Sequence, residues 1–162
     1  MSSSHKNLSE FEGNPVPDAA KFSFAIIWSE WNHEVTHALK EGAVNFLLKH
    51  GVLKENIVIK SVPGSYELTL GAHYALEKTT ADAVITLGCV IQGETRHFDF
   101  ICDAVANGIT NLNIKYKKPV IFGVLTPDTM QQALDRSGGK HGNKGEEAAA
   151  TAIKMLALRD SF

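Results

Sequence analysis

Cysteine is scarce in this 162-residue sequence: only Cys89 and Cys102 occur. Two irregularly placed thiols do not make a disulfide framework, so a reducing, cytoplasmic setting is expected. No apolar stretch approaches the roughly 20 residues of a membrane helix, so no membrane partner is expected. Charge of one sign is also lacking. Sixteen Lys and Arg against eighteen Asp and Glu leave a net −2, which argues against a nucleic-acid or membrane-surface footprint. There is no internal repeat and no low-complexity segment in the part expected to fold. No G-x-G-x-x-G follows the first strand-like run, which leaves a dinucleotide site unsupported. The stretch GGKHGNKG, residues 138–145, misses the G-x-x-x-x-G-K-[ST] spacing and follows a helix rather than a strand. Its glycines read as a tight connection, with Lys140 and Lys144 supplying local positive charge. The opening MSSSHKNLSEFEGNPVPDAAK lacks the apolar core of a secretory signal. Residues 1–20 read as a flexible polar tail and 21–162 as a single domain, since 44% hydrophobic and 21% charged residues suit a globular core.

What is present is an alternation of strand and helix. Phe22 to Trp28 is a strand-like apolar run, with Trp28 assigned to the core. Val35, Ala38, Leu39, Gly42, Ala43, Phe46 and Leu47 then recur at helical spacing, and Gly51 is placed to end that helix. Ile57 to Val62 is a second strand, stopped by Pro63-Gly64, and Leu68, Ala72, Ala75 and Leu76 resume a helical stripe. Ala83 to Val90 is the third strand; Phe98, Ile101, Cys102, Val105, Ala106 and Ile109 mark the helix after it. Pro119 to Leu125 is the fourth strand. A short helix around Thr129 to Leu134, a loop and an Ala-rich helix from about Glu146 to Leu158 complete the chain. Strands apolar on both faces alternating with helices predict a four-stranded parallel sheet inside a three-layer α/β/α sandwich. Ligands of such sheets bind beyond the carboxyl ends of the strands. That places function in SEWNH, PGSYE, GCVIQGETRH and LTPD.

The third of these segments is the richest. An apolar, β-branched run ends at Gly88, a Gly-bracketed turn follows, and a helix-period pattern opens with His97 in its first turn. Free N–H groups at such a helix start form an anion seat, and histidine is the side chain whose charge changes near neutral pH. His97 therefore fits either a proton carrier beside a phosphate or a satisfied structural histidine. Trp31, in the first exit loop, fits packing or ligand stacking. Glu67 fits a hydrogen-bond acceptor or a helix N-terminal charge, Arg136 a helix C-terminal one, and Cys89 packing. His33 to His37 matches H-E-x-x-H, but it opens a surface helix and no third ligand follows. A solvated helix face accounts for it better than a zinc peptidase, and no metal site is expected.

VPGSYEL, ITLGCVIQGETRHFDFIC, PVIFGVLT and ALDRSGGKHGNKGEEAA, in this order and spacing, resemble the lumazine synthase (6,7-dimethyl-8-ribityllumazine synthase) family over about residues 20–159. The resemblance implies a flavodoxin-like fold and the penultimate step of riboflavin biosynthesis. In that step 5-amino-6-(D-ribitylamino)uracil condenses with 3,4-dihydroxy-2-butanone 4-phosphate, releasing phosphate and two waters without metal or organic cofactor. Carried over by position, Trp31 stacks on the pyrimidine; Ser65, Tyr66 and Glu67 grip the ribityl chain and nearby polar groups; Cys89, Val90, Ile91 and Phe122 line the pyrimidine pocket. Glu94 and Thr95 form the phosphate turn, with the N–H rather than the carboxylate of Glu94 facing the ligand. Arg136 clamps phosphate, Lys144 lies near it, and His97 transfers protons. Cys89 stands where threonine is familiar, which matters little if the backbone makes the contact.

The resemblance further implies a homo-oligomer of pentamers in which Phe122, Arg136 and Lys144 come from the subunit beside the one supplying His97. Riboflavin synthase is a candidate partner. A short 138–145 loop favours an icosahedral shell, whereas Pro15 and Pro17 would interrupt strand pairing with a neighbour; the balance falls to the shell. A non-catalytic flavin-binding or shell-building relative is the competing reading, and the intact His97 and Arg136 speak against it.

Overall fold

The computed structural model describes residues 7, 9, 10 and 15–162; most of the expected tail lies outside the described residues. Four strands, β1 (Phe24–Ser29), β2 (Ile57–Val62), β3 (Ala83–Cys89) and β4 (Val120–Leu125), form one parallel sheet in the order β2-β1-β3-β4. Helices α1 (His33–Lys49), α2 (Leu68–Lys78), α3 (His97–Tyr116) and α5 (Lys144–Arg159) cover it, and a short α4 spans Met130–Leu134. The three-layer sandwich expected from the alternation, flavodoxin-like as the resemblance implies, is the fold observed.

Alternate residues of each central strand feed the two cores. Phe24 and Ile26 of β1, with Ala83, Ile85 and Leu87 of β3, pack against Leu39, Leu47, Ile153 and Leu156 of α1 and α5. Ala25 and Ile27, with Val84, Val120 and Val124, pack against Leu68, Ala72, Val105 and Ile109 of α2 and α3. A strand buried on both faces must be apolar throughout, which is why β1 and β3 read as continuous hydrophobic runs. α1 ends as Gly51 predicts. Gly51 has φ +91°, its N–H donates to the Leu48 carbonyl and that of Val52 to Leu47, a Schellman termination.

Several expectations need correction. The strands are not all covered on both faces: β2 is an edge, and Ile59, Lys60 and Ser61 are exposed. Phe122 on the opposite edge strand is exposed too. Trp28 packs against the core shared with α1 and α5, as assigned, but only as a half-buried residue at its rim. It lies near the carboxyl end of β1, where His33 and His37 meet its ring edge-on at 5.7 and 6.2 Å and the Lys40 amine sits over it at 5.4 Å. The 138–145 stretch is not plain loop but a small antiparallel hairpin, β5 (Ser137–Gly139) and β6 (Gly142–Asn143), whose Gly138 and Gly142 take φ +118° and +79°. Ala19, within the segment read as tail, is fully buried and its N–H donates to His50 at the end of α1.

The strand order places the site. The chain leaves β1 by α1 toward β2 and leaves β2 by α2 toward β3, so helices on opposite faces depart from either side of β1. A crevice opens at that reversal, beyond the carboxyl ends of β1 and β3.

Candidate active site

The loop after β1 is tied down on both sides. Glu30 and Trp31 N–H groups donate to the Val62 and Pro63 carbonyls, at 2.8 and 3.1 Å, prolonging the pairing with β2. Asn32 takes a left-handed backbone (φ 57°) and its Nδ2 donates to the Cys89 carbonyl at 3.0 Å. Asparagine tolerates that conformation better than most residues. The tethered loop leaves the Trp31 ring 73% exposed over the crevice.

After β2, Ser65–Glu67 form one 3-10 turn that leads into α2. Glu67 Oε2 accepts the Gly64 N–H at 3.0 Å, so this carboxylate closes its own turn. Ser65 is buried against β3 because position 88 carries no side chain: a Cβ there would lie 2.6 Å from Ser65 Oγ. After β3, Val90 and Gln92 N–H groups donate to Leu125 and Pro127, which holds that exit beside the exit of β4. Thr95 Oγ1 accepts the His97 N–H at 3.4 Å at the start of α3. Burial pushes the Cys89 thiol up to about 12, so it is neutral packing, as its position suggests.

These exits enclose a cavity of about 670 Å³. Trp31, Ser65, Tyr66, Glu67, Cys89, Val90, Ile91, Thr95 and His97, all singled out from sequence, line it. Glu94 stands exposed on the turn outside that lining. Asn32, Gly64, Phe98 and Ile101 also line it and were missed. Asn32 had a readable signal, an asparagine at a strand exit, whereas Phe98 and Ile101 were absorbed into the apolar stripe of α3.

Phe122, Arg136 and Lys144 are elsewhere. Phe122 and Lys144 line a separate hollow of about 300 Å³ beside β4. Arg136 joins Lys144 through the base of the hairpin, where the Lys144 N–H donates to the Arg136 carbonyl at 2.9 Å. The Arg136 guanidinium donates to the Gln132 carbonyl, and Lys144 Nζ pairs with Glu147 at 2.8 Å. The cavity of His97 includes none of the three. Within one chain, Phe122 and Lys144 therefore line a different hollow from His97, and Arg136 lines neither.

The H-E-x-x-H histidines stack on each other at 5.3 Å on an exposed helix face. Among the described residues no three His, Cys, Asp or Glu side chains gather as a metal site.

A parallel α/β sandwich with a crevice at its strand reversal, lined by an indole and an exposed imidazole, is the architecture of a small-molecule-binding α/β protein. Comparison with known proteins narrows the class. Residues 21–160 match the 6,7-dimethyl-8-ribityllumazine synthase family. The chain is 61% identical over 157 residues to the 6,7-dimethyl-8-ribityllumazine synthase of Cytophaga hutchinsonii, covering 97% of this chain and 98% of that one. It is 56% identical to that of Parabacteroides distasonis over 156 residues (96% and 98% covered). Against that of Flavobacterium johnsoniae it is 52% identical over 159 residues (98% and 84%). The chain belongs to the 6,7-dimethyl-8-ribityllumazine synthase family.

Proposed function

We propose that the chain condenses 5-amino-6-(D-ribitylamino)uracil with 3,4-dihydroxy-2-butanone 4-phosphate to 6,7-dimethyl-8-ribityllumazine, phosphate and water, as a cytoplasmic transferase of riboflavin biosynthesis. The observation that carries this reading is the near full-length family match together with His97 and Trp31 on one cavity at the strand reversal. No helix among the described residues is long and apolar enough to cross a membrane.

The pyrimidine lies under Trp31 against the Cys89–Ile91 backbone, and its ribityl chain reaches Ser65, Tyr66 and Glu67. The arylamine attacks the ketone to give a carbinolamine and then an imine. Phosphate is eliminated, the ring closes, and water is lost. Each step moves a proton, and His97 at the mouth is the carrier; such help is typically worth about 10²–10⁴-fold. Holding two substrates together supplies much of the remaining acceleration. The N–H groups of Gly93 to Thr95 take phosphate oxygens, with the Glu94 carboxylate turned to solvent.

Phe122, Arg136 and Lys144 form a second half-site that completes the first from a neighbouring subunit. Phe122 then closes over the pyrimidine, Arg136 offers a fork to phosphate, and Lys144 adds charge. The separation of Phe122 and Lys144 from the His97 cavity within one chain supports this arrangement. It makes the working unit an oligomer, at least a pentamer by the family resemblance, with assembly of pentamers into an icosahedral shell, and riboflavin synthase as its companion, the fuller version. The direct test is lumazine formation from the two purified substrates, read by absorbance. Absence of product from folded, assembled protein would leave the non-catalytic reading.

A further inference from the structure

The hairpin that carries the two cations is short, and something must fix it to the scaffold. β5 and β6 together supply five strand residues, and a two-stranded ribbon of that size has no stability of its own. The His141 N–H to the Asp135 carbonyl and the Lys140–Asp135 pair tie it to the end of α4, and the Asn143 side chain ties it to α1. Asn143, the last residue of β6, is 7% exposed, and its amide is used in two directions. Its Nδ2 donates to the Ala38 carbonyl of α1 at 3.0 Å, while its Oδ1 accepts the Gly145 N–H at 2.7 Å and caps α5. The scaffold is cut to receive it. A Cβ on Gly42 of α1 would lie 2.5 Å from the Asn143 amide, and one on Gly145 would collide with the Leu39 carbonyl. Two glycines thus let α1 and α5 close on the asparagine. Lys144 follows Asn143 directly, and the Lys144 N–H holds the Arg136 carbonyl at 2.9 Å.

We propose that Asn143 is the positioning residue of the phosphate grip: its amide pins the hairpin to α1 and thereby sets where Arg136 and Lys144 stand. This rests on the proposed function, in which those cations hold the phosphate of the butanone. Asn143 itself touches no substrate. Its effect falls on the phosphorylated substrate because the pyrimidine half-site is built from the exits of β1, β2 and β3, which the hairpin does not carry.

The test uses three variants of the full-length protein in its native assembly: Asn143→Asp, Gly42→Ala and Arg136→Ala. Asn143→Asp keeps an oxygen to cap α5, where negative charge is favoured, but turns a second oxygen toward the Ala38 carbonyl in place of the donor. Gly42→Ala dislodges the same amide from the α1 side without altering the hairpin. Either variant carries the test should the other fail to fold. Steady-state kinetics are measured with each substrate varied in turn, alongside Tm. The expected result for Asn143→Asp and Gly42→Ala is a KM for the butanone phosphate raised about ten- to a hundredfold, the scale of an ångström misplacement. The KM for the ribitylaminouracil stays within about twofold, because the contacts that would hold it are unaltered. Both KM values unchanged, or both raised together with a fallen Tm, would overturn the proposal in favour of a merely structural asparagine. Arg136→Ala separates the two levels. If it raises the butanone phosphate KM and the anchor variants do not, only the anchoring is wrong; if it does not, the phosphate assignment fails and the anchoring with it.

Discussion

Gly88→Ala is a perturbation whose consequence can be worked through from one contact. Gly88 lies inside β3, not in the turn after it, and its Cα faces the Ser65–Glu67 turn. A methyl group there would sit 2.6 Å from Ser65 Oγ, 2.8 Å from Leu68 Cδ1 and 3.4 Å from Ser29 Oγ. The first two separations are shorter than any relaxed carbon contact. Neither neighbour can swing away, because Ser65 and Leu68 are buried and β3 is paired on both sides. Overpacking of this kind costs about 1–3 kcal/mol. For a chain of this size 2 kcal/mol corresponds to a Tm lower by roughly 4–8 °C. The cheapest relief is displacement of the 3-10 turn toward the cavity, which moves Ser65, Tyr66 and Glu67. Calorimetry should therefore show the lower Tm, and titration with the ribitylaminouracil should show weakened binding in the protein that remains folded. A Gly88→Ala variant with unchanged Tm and unchanged pyrimidine affinity would refute the claim that this glycine shapes the pocket.

Further outcomes follow from two named groups. His97→Ala should lower kcat on the order of 10²-fold while leaving measurable turnover, since binding both substrates still contributes; a kcat equal to that of the parent would remove His97 from proton transfer. Cys89, its thiol raised from 9.0 to about 12 by burial, should alkylate about a thousandfold more slowly than the same cysteine in unfolded chain near pH 8, one decade per pKa unit. Because burial keeps the folded thiol protonated, its contribution to stability is complete below pH 9 and is lost as pH rises from there toward 12. Denaturant titrations at pH 8 and pH 10 should show the decline, and native-state labelling of Cys89 as fast as in the denatured chain would contradict its burial.

Sheet and helices were legible because their signals are long and regular. β2 begins at Ile57 and ends where its apolar run meets Pro63-Gly64, and α1 stops at the glycine placed to stop it. Burial on both faces made β1 and β3 unmistakable, and the same logic misled for the edges. Ile57 to Val62 opens like a central strand, but Lys60 and Ser61 mark it as the edge it is, paired on one side only. The hairpin of residues 137–143 escaped notice because strands of two and three residues carry no periodicity. Trp28 read as core because indole is apolar, but the carboxyl end of a strand is where the helical layers open. Of the site, the residues at strand exits were visible because topology alone directs ligands there. Asn32 sat at a readable strand exit, but the partners of Asn32 and Asn143, carbonyls 57 and 105 residues away, are encoded in no local pattern.

Whether each reaction centre is assembled from two chains can be measured by co-assembling His97→Ala and Arg136→Ala subunits. Each variant lacks one half-site and keeps the other. Random co-assembly in equal amounts brings an intact imidazole against an intact guanidinium at about one interface in four, since a head-to-tail ring joins unlike surfaces. With the butanone phosphate held far below the raised KM of Arg136→Ala, lumazine formation should return to roughly a quarter of the parental rate, far above either variant alone. Activity no greater than the sum of the two separate variants, in particles shown to contain both, would contradict a shared centre.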